Sequence, residues 1–130
     1  MKKITVHSIN NMRKAHNLAV ILRDKYHYNV GINIDDDCYK IISLSNDKWD
    51  DVVISIEKSE DNYNYLYIWE EGKEEMKLAS NIGKYTNFIP ISLPANDFFV
   101  NGLDAIYIRL ELGKETSVED IAKGIHSYLG

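Results

Sequence analysis

A chain of 130 residues, 45% apolar and 27% charged, has the size and composition of one soluble globular domain, which sets aside disordered and fibrous classes. A single cysteine excludes an internal disulfide and a four-thiolate zinc site. A net charge of −5 argues against direct nucleic-acid binding, because phosphate contact asks for clustered Lys and Arg.

The start, "MKKITVHSINNM", carries two lysines but only a short apolar stretch interrupted by Thr5, where a secretory leader has about 7–15 apolar residues. "LAVIL", 18–22, falls short of the roughly 20 residues of a spanning helix. These features predict a cytoplasmic protein with no membrane contact.

Residues 2–7 predict a short strand. A helix follows within 8–28, with Met12, Ala15, Ala19, Leu22 and Tyr26 on one face and Ser8 or Asn10 available as its cap. The pattern then changes to period two. "NVGINI" (29–34), "CYKIISL" (38–44), "VVISIEK" (52–58) and "NYLYIWE" (64–70) read as strands joined by short polar turns, the mark of an antiparallel meander. "MKLAS" (76–80) reads as one more strand. "FIPISLP" (88–94) contains Pro90, which lacks an amide donor and belongs at a sheet edge or outside the sheet. Residues 95–102 read as a loop or one helical turn, and 104–112 as a strand. "TSVEDIAKGIHSYLG" closes as a helix capped by Ser117, with Val118, Ile121, Ile125 and Leu129 on its apolar face. No repeat or linker divides the chain. The expectation is a single α+β domain over 1–130: a mainly antiparallel β-sheet of five to seven strands with a central meander, and an N-terminal and a C-terminal helix packed on it.

The triplet Asp35–Asp36–Asp37 beside Cys38 is the most conspicuous local feature. Calcium-loop spacing fails there: counted from Asp35, the sixth residue is Lys40 rather than glycine and the twelfth is Asn46 rather than glutamate. His7, His16, His27 and His126 form no close pair at helical spacing, and His-Glu-X-X-His is absent. The triplet therefore reads as an acidic hairpin turn, and no metal or cofactor is expected. Arg13, Lys14, Arg23 and Lys25 read as a solvated helix face, with weak phosphate contact as the sharper alternative. Tyr63, Tyr65, Tyr67 and Trp69 alternate and share one strand face, either covered by a helix or open to a partner.

Residues 35–75 carry thirteen acids against four lysines. In a meander, "SNDKWDD" and "EEGKEE" share one end of the sheet. That end gathers Trp49, Asp50, Asp51, Trp69, Glu70, Glu71, Glu74 and Glu75, an aromatic anchor ringed by steering charge. The pattern suggests a small acidic binding protein, of an inhibitor or immunity type (toxin immunity or phage anti-defence), that meets a basic, nucleic-acid-handling protein partner. The alternative is a ligand-binding or hydrolytic enzyme with a cleft near Cys38 and a histidine.

Overall fold

The computed structural model describes residues 2–130. In chain order come β1 (Lys3–Ile9), α1 (Met12–Asp24), β2 (Asn29–Asn33), α2 (Cys38–Asp47) and β3 (Val52–Lys58). Then follow β4 (Tyr65–Ile68), α3 (Lys73–Gly83), β5 (Ile89–Ser92), α4 (Phe98–Gly102), β6 (Ile106–Leu112) and α5 (Val118–Leu129). The strands make one six-stranded sheet in the order β2-β1-β3-β6-β4-β5. Neighbours run parallel except β4 against β6. The fold is thus α/β with a mostly parallel mixed sheet, and the expected mainly antiparallel sheet with its central meander is corrected.

Two segments account for the error. "CYKIISL" lies in α2, where Ile41 and Ser45 are buried one helical turn apart. Asp37 caps this helix: its carboxylate accepts the N–H groups of Tyr39 and Lys40. The acidic triplet therefore starts a helix rather than closing a hairpin. A short apolar run fits either period, and here the Asp cap decides. "MKLAS" lies in α3, which buries Leu78 and Ile82 and carries Glu74 and Glu75 in its first turn, where carboxylates suit the helix dipole. With helices between them, successive strands have connections long enough to run parallel. The unbroken burial of Val52–Ile56 is the corresponding mark of a strand covered on both faces.

α1, α3 and α5 cover one face. There Ile4, Val6, Ile54, Ile56, Ile108 and Leu110 meet Leu18, Leu22, Leu78, Ile82, Ile121 and Ile125. Fully burying such a side chain contributes about 1.5–3 kcal/mol. Ser117 caps α5 by accepting the Asp120 N–H, as its sequence suggests. At Gly124 a Cβ would sit 2.4 Å from the Ile82 Cα, so α5 and α3 meet backbone to backbone. The other face has only α2 and the short α4, over a smaller cluster of Ile41, Val53, Leu93, Phe99 and Tyr107.

The sheet ends differ. Pro90 lies on the edge strand β5. The Ile89 and Leu93 N–H groups donate inward, to the Asn64 and Ile68 carbonyls, so Pro90 holds an outward-facing position. The opposite edge, β2, exposes Ile32. Between the edges, the chain steps from β1 to β2 and then returns past β1 to β3. In open α/β sheets such a reversal leaves a crevice at the carboxyl ends of the strands, and ligands bind there.

Candidate functional site

The thinly covered face carries the polar side chains of the central strands. Register places His7 beside Ser55, Ser55 beside Arg109, and Glu57 beside Glu111. On β4, Tyr67 lies beside Arg109 and Tyr65 beside Glu111. Two environments result, one sealed and one open.

The sealed part is a relay. Tyr107 donates its hydroxyl to Ser55 Oγ at 2.8 Å, and Ser55 Oγ lies 2.9 Å from His7 Nδ1. His7 Nε2 lies 3.2 Å from the Asp35 carbonyl oxygen. That carbonyl can only accept, so the relay is complete with a neutral His7 carrying its proton on Nε2 and Ser55 donating to Nδ1. Burial holds His7 below its ordinary pKa of 6.5, against the opposing pull of the Asp35 carbonyl and the Asp36 and Asp35 charges. A serine beside a histidine resembles a nucleophile and its base. Ser55 is 0% exposed and His7 3%, so no substrate reaches them, and the relay is structural. His7 is committed to Ser55 and Asp35, not to Cys38, which packs against the smaller cluster.

The open part is a crevice of about 600 Å³ at the carboxyl ends of β3 and β6, lined by Asn10, Glu57, Asp61, Tyr65, Tyr67 and Glu111. Neighbouring strands lie about 4.8 Å apart, so the register pair Glu57 and Glu111 is forced close. Burial pushes the Glu57 carboxyl above its usual range, the Glu111 charge adds to this, and Arg109 opposes it. Arg109 Nε stands 3.9 Å from Glu57 Oε2, and its guanidinium lies 4.3 Å from the centroid of the Tyr67 ring. Tyr67 donates its hydroxyl to Glu111 Oε1. Burial and that hydrogen bond push the Tyr67 phenol up to about 12, so it remains a donor at neutral pH. Two crowded carboxylates in unlike environments, with an arginine beside them, are equipped for acid–base chemistry.

A hydrolytic metal centre asks for about three protein donors around an open position. Among the described residues no group of three or more His, Cys, Asp and Glu converges to hold a metal ion. The donor set of the crevice does not fit one, and its chemistry is derived below from the carboxylates alone.

The residues singled out from sequence lie at the opposite end of the sheet. Trp49 is 81% exposed, with its backbone in the left-handed region at φ 59°. Asp50 accepts the Thr5 hydroxyl at 2.6 Å, and Asp51 accepts the Lys3 backbone N–H at 2.9 Å. Trp69 is half-buried, and Glu70 and Glu71 are exposed beyond β4. Glu74 accepts from Lys77 and from the Tyr128 hydroxyl, while Glu75 folds back over Gly72. Both groups stand at the amino-terminal edge of β3 and β6, where Asp51 and Glu74 line one cavity of about 470 Å³, but β3 and β6 separate β1, beside Trp49, from β4, which precedes Trp69. Glu57, Arg109 and Glu111 escaped that reading, while Tyr67 entered it only as one of the alternating aromatic residues of its strand. Their signal is a charged residue near the carboxyl end of an otherwise apolar strand, which becomes informative only once the strands are known to be parallel.

No family model matches the chain, and no curated protein matches it. Solved structures do. The catalytic domain of CwlV, an N-acetylmuramoyl-L-alanine amidase from Bacillus (Paenibacillus) polymyxa var. colistinus, superposes with a TM-score of 0.74 at 14% identity, over 99% of this chain and 96% of that one. The catalytic domain of the CD27L endolysin, which targets Clostridia difficile, gives 0.74 at 14% identity, over 99% and 97%. At that identity the likeness establishes the fold, an α/β fold resembling amidase catalytic domains. It also corrects the inhibitor or immunity-type expectation, with its toxin-immunity and anti-defence variants, which rested on charge and on a meander edge that does not exist. No helix among the described residues is long and apolar enough to cross a membrane.

Proposed function

We propose that the chain is a hydrolase of an amide bond of the N-acetylmuramoyl-L-alanine kind, with Glu57 and Glu111 as its acid–base pair. The observation that carries this reading is the register pairing of the two carboxylates on adjacent parallel strands, at the strand ends where α/β sheets take ligands. The amidase domains of like fold supply the substrate class.

In this reading the Glu111 carboxylate, oriented by Tyr67, takes a proton from a water that attacks the amide carbonyl carbon. Negative charge builds on the carbonyl oxygen, and Arg109 provides the neighbouring positive charge. Glu57, whose raised pKa favours holding a proton, delivers it to the departing nitrogen. The carbon–nitrogen bond breaks, leaving a carboxylic acid and an amine. A cytoplasmic location stays part of the proposal, in keeping with a chain whose single cysteine, Cys38, leaves it without an internal disulfide.

The test is release of peptide amine from a synthetic N-acetylmuramoyl-L-alanyl peptide, followed by chromatography. The folded protein should release it, and Glu111→Gln should slow release by about 100-fold or more. Treatment with a chelator should leave the rate unchanged. No release by the folded wild type overturns the reading. A chelator-sensitive rate restored by zinc overturns the carboxylate mechanism.

A further inference from the structure

Behind the strand ends, on the face of α1 and α5, lies a larger cavity of about 800 Å³. Arg13 and Lys14 reach it from α1, Lys58 from the end of β3, and Lys114 from the turn after β6. Glu119 is the one acid in its lining. Lys14 Nζ donates to the Thr116 carbonyl at 2.9 Å and the Lys114 carbonyl at 3.4 Å, which fixes its charge over the opening. None of the four cations forms an ion pair among the described residues.

This gathering is at odds with the chain as a whole, whose net charge is −5. The sequence alone groups Arg13 and Lys14 with Arg23 and Lys25 as one solvated face. The structure divides them: Arg23 pairs with Asp24, and Lys25 lies over the Tyr26 ring, at the far end of the helix. Only Arg13 and Lys14 converge with cations brought from distant sequence. Four cations facing one acid, Glu119, leave the hollow net positive, and an entering anion would relieve their repulsion. A lone carboxylate would neutralise one of them. A phosphate group brings up to two charges and several acceptor oxygens, and it also suits the amide and hydroxyl donors of Asn17 and Ser59 in the lining.

We propose that this cavity is a phosphate-binding site held by Arg13, Lys14, Lys58 and Lys114. Lys58 and Ser59 also line the carboxylate crevice, but the test does not depend on turnover at Glu57 and Glu111, because its readout is binding. The experiment titrates the full chain with inorganic phosphate and, separately, with glycerol 3-phosphate, against chloride at matched ionic strength, following backbone amide shifts by NMR. Saturable shifts at Arg13, Lys14, Ser59 and Thr116 are expected with phosphate and not with chloride. Arg13→Gln with Lys114→Gln should weaken binding by about tenfold or more, while the charge-matched Lys25→Gln with Lys84→Gln pair stays within about twofold. Tighter binding of the ester names an esterified phosphate as the ligand, and equal binding names the phosphate group alone. Shifts that chloride reproduces, that do not saturate, or that both variant pairs weaken equally overturn the proposal.

Discussion

Beneath α1, α3 and α5 the sheet presents Ile4, Val6, Ile54, Ile56, Ile108 and Leu110, a dry layer closed by three helices. Beneath α2 and α4 the same strands present His7, Ser55, Glu57, Arg109 and Glu111, with a smaller apolar cluster beside them. A strand has two faces by geometry, and this chain gives them different work. The first face carries the folding free energy. The second spends part of that stability on polar groups that need partners, and it leaves two carboxylates crowded where water reaches them.

The contrast breaks most visibly on the dry face. Leu22→Ala and Ile121→Ala should each cost about 2–5 kcal/mol in urea denaturation, since both side chains are fully buried at the centre of helical stripes. A loss under about 1 kcal/mol at both would show that this face is not the stabilising one. On the polar face, Tyr107→Phe removes the donor to Ser55 while keeping the ring stacked on Phe99. The orphaned acceptor should cost about 1–3 kcal/mol, and release of peptide amine should persist at wild-type rate.

Acid sharpens the comparison further. The pKa of His7 is lowered in the fold, so the unfolded chain binds its proton more readily. The stability of a neutral His7 is complete above 6.5, fades as pH falls from there toward the lower folded value, and then loses nothing more. Glu57 acts in the opposite sense: its folded pKa lies above 4.5, so the fold gains stability as pH falls through the folded value toward 4.5 and gains nothing further below it. Asp24, Asp35, Asp61 and Glu74 are lowered, and their contributions fade only at more acid pH. Denaturation of Glu57→Gln at several points between neutrality and pH 5 therefore isolates His7, and adding His7→Gln should flatten the slope. A slope that persists would place the titration elsewhere.

The smallest stability effect belongs to Glu57→Gln itself, under about 1 kcal/mol, because the group is part-exposed and its charge is crowded by Glu111. Its rate of amide release should nevertheless fall, chiefly on the acid side of the profile, where the wild-type Glu57 holds the proton it donates, and the alkaline limb that Glu57 ionisation produces should disappear. A variant with large destabilisation and unchanged rate would move Glu57 from chemistry to structure.

The elements legible in the sequence were those whose pattern fits one period only. α1 and α5 have long stripes at steps of three and four, and β3 and β6 have β-branched runs too short for a helix. α2 and α3 were not, because their apolar runs are brief and their caps, Asp37 and Gly72, also serve turns. Misreading those two helices reversed the strand directions, and the carboxyl ends of β3 and β6 then carried no signal. Cys38 and a histidine were noticed, yet the pair that meets is His7 with Ser55. Glu57 and Glu111 are 54 residues apart and become neighbours only through the β3–β6 register.

Pro90 has a consequence for how copies of the chain can meet. A sheet with two free margins can add strands without end, as fibrils do. Here the outward-facing position of β5 at Pro90 offers no amide, while β2 offers its full complement and the exposed side chain of Ile32. Main-chain zippering is therefore hindered at β5, where Ser92 keeps the outward amide that Pro90 lacks, and unhindered at β2. Two molecules joined through β2 would leave the proline-bearing margins outside, where the missing amide weakens the addition of a further strand.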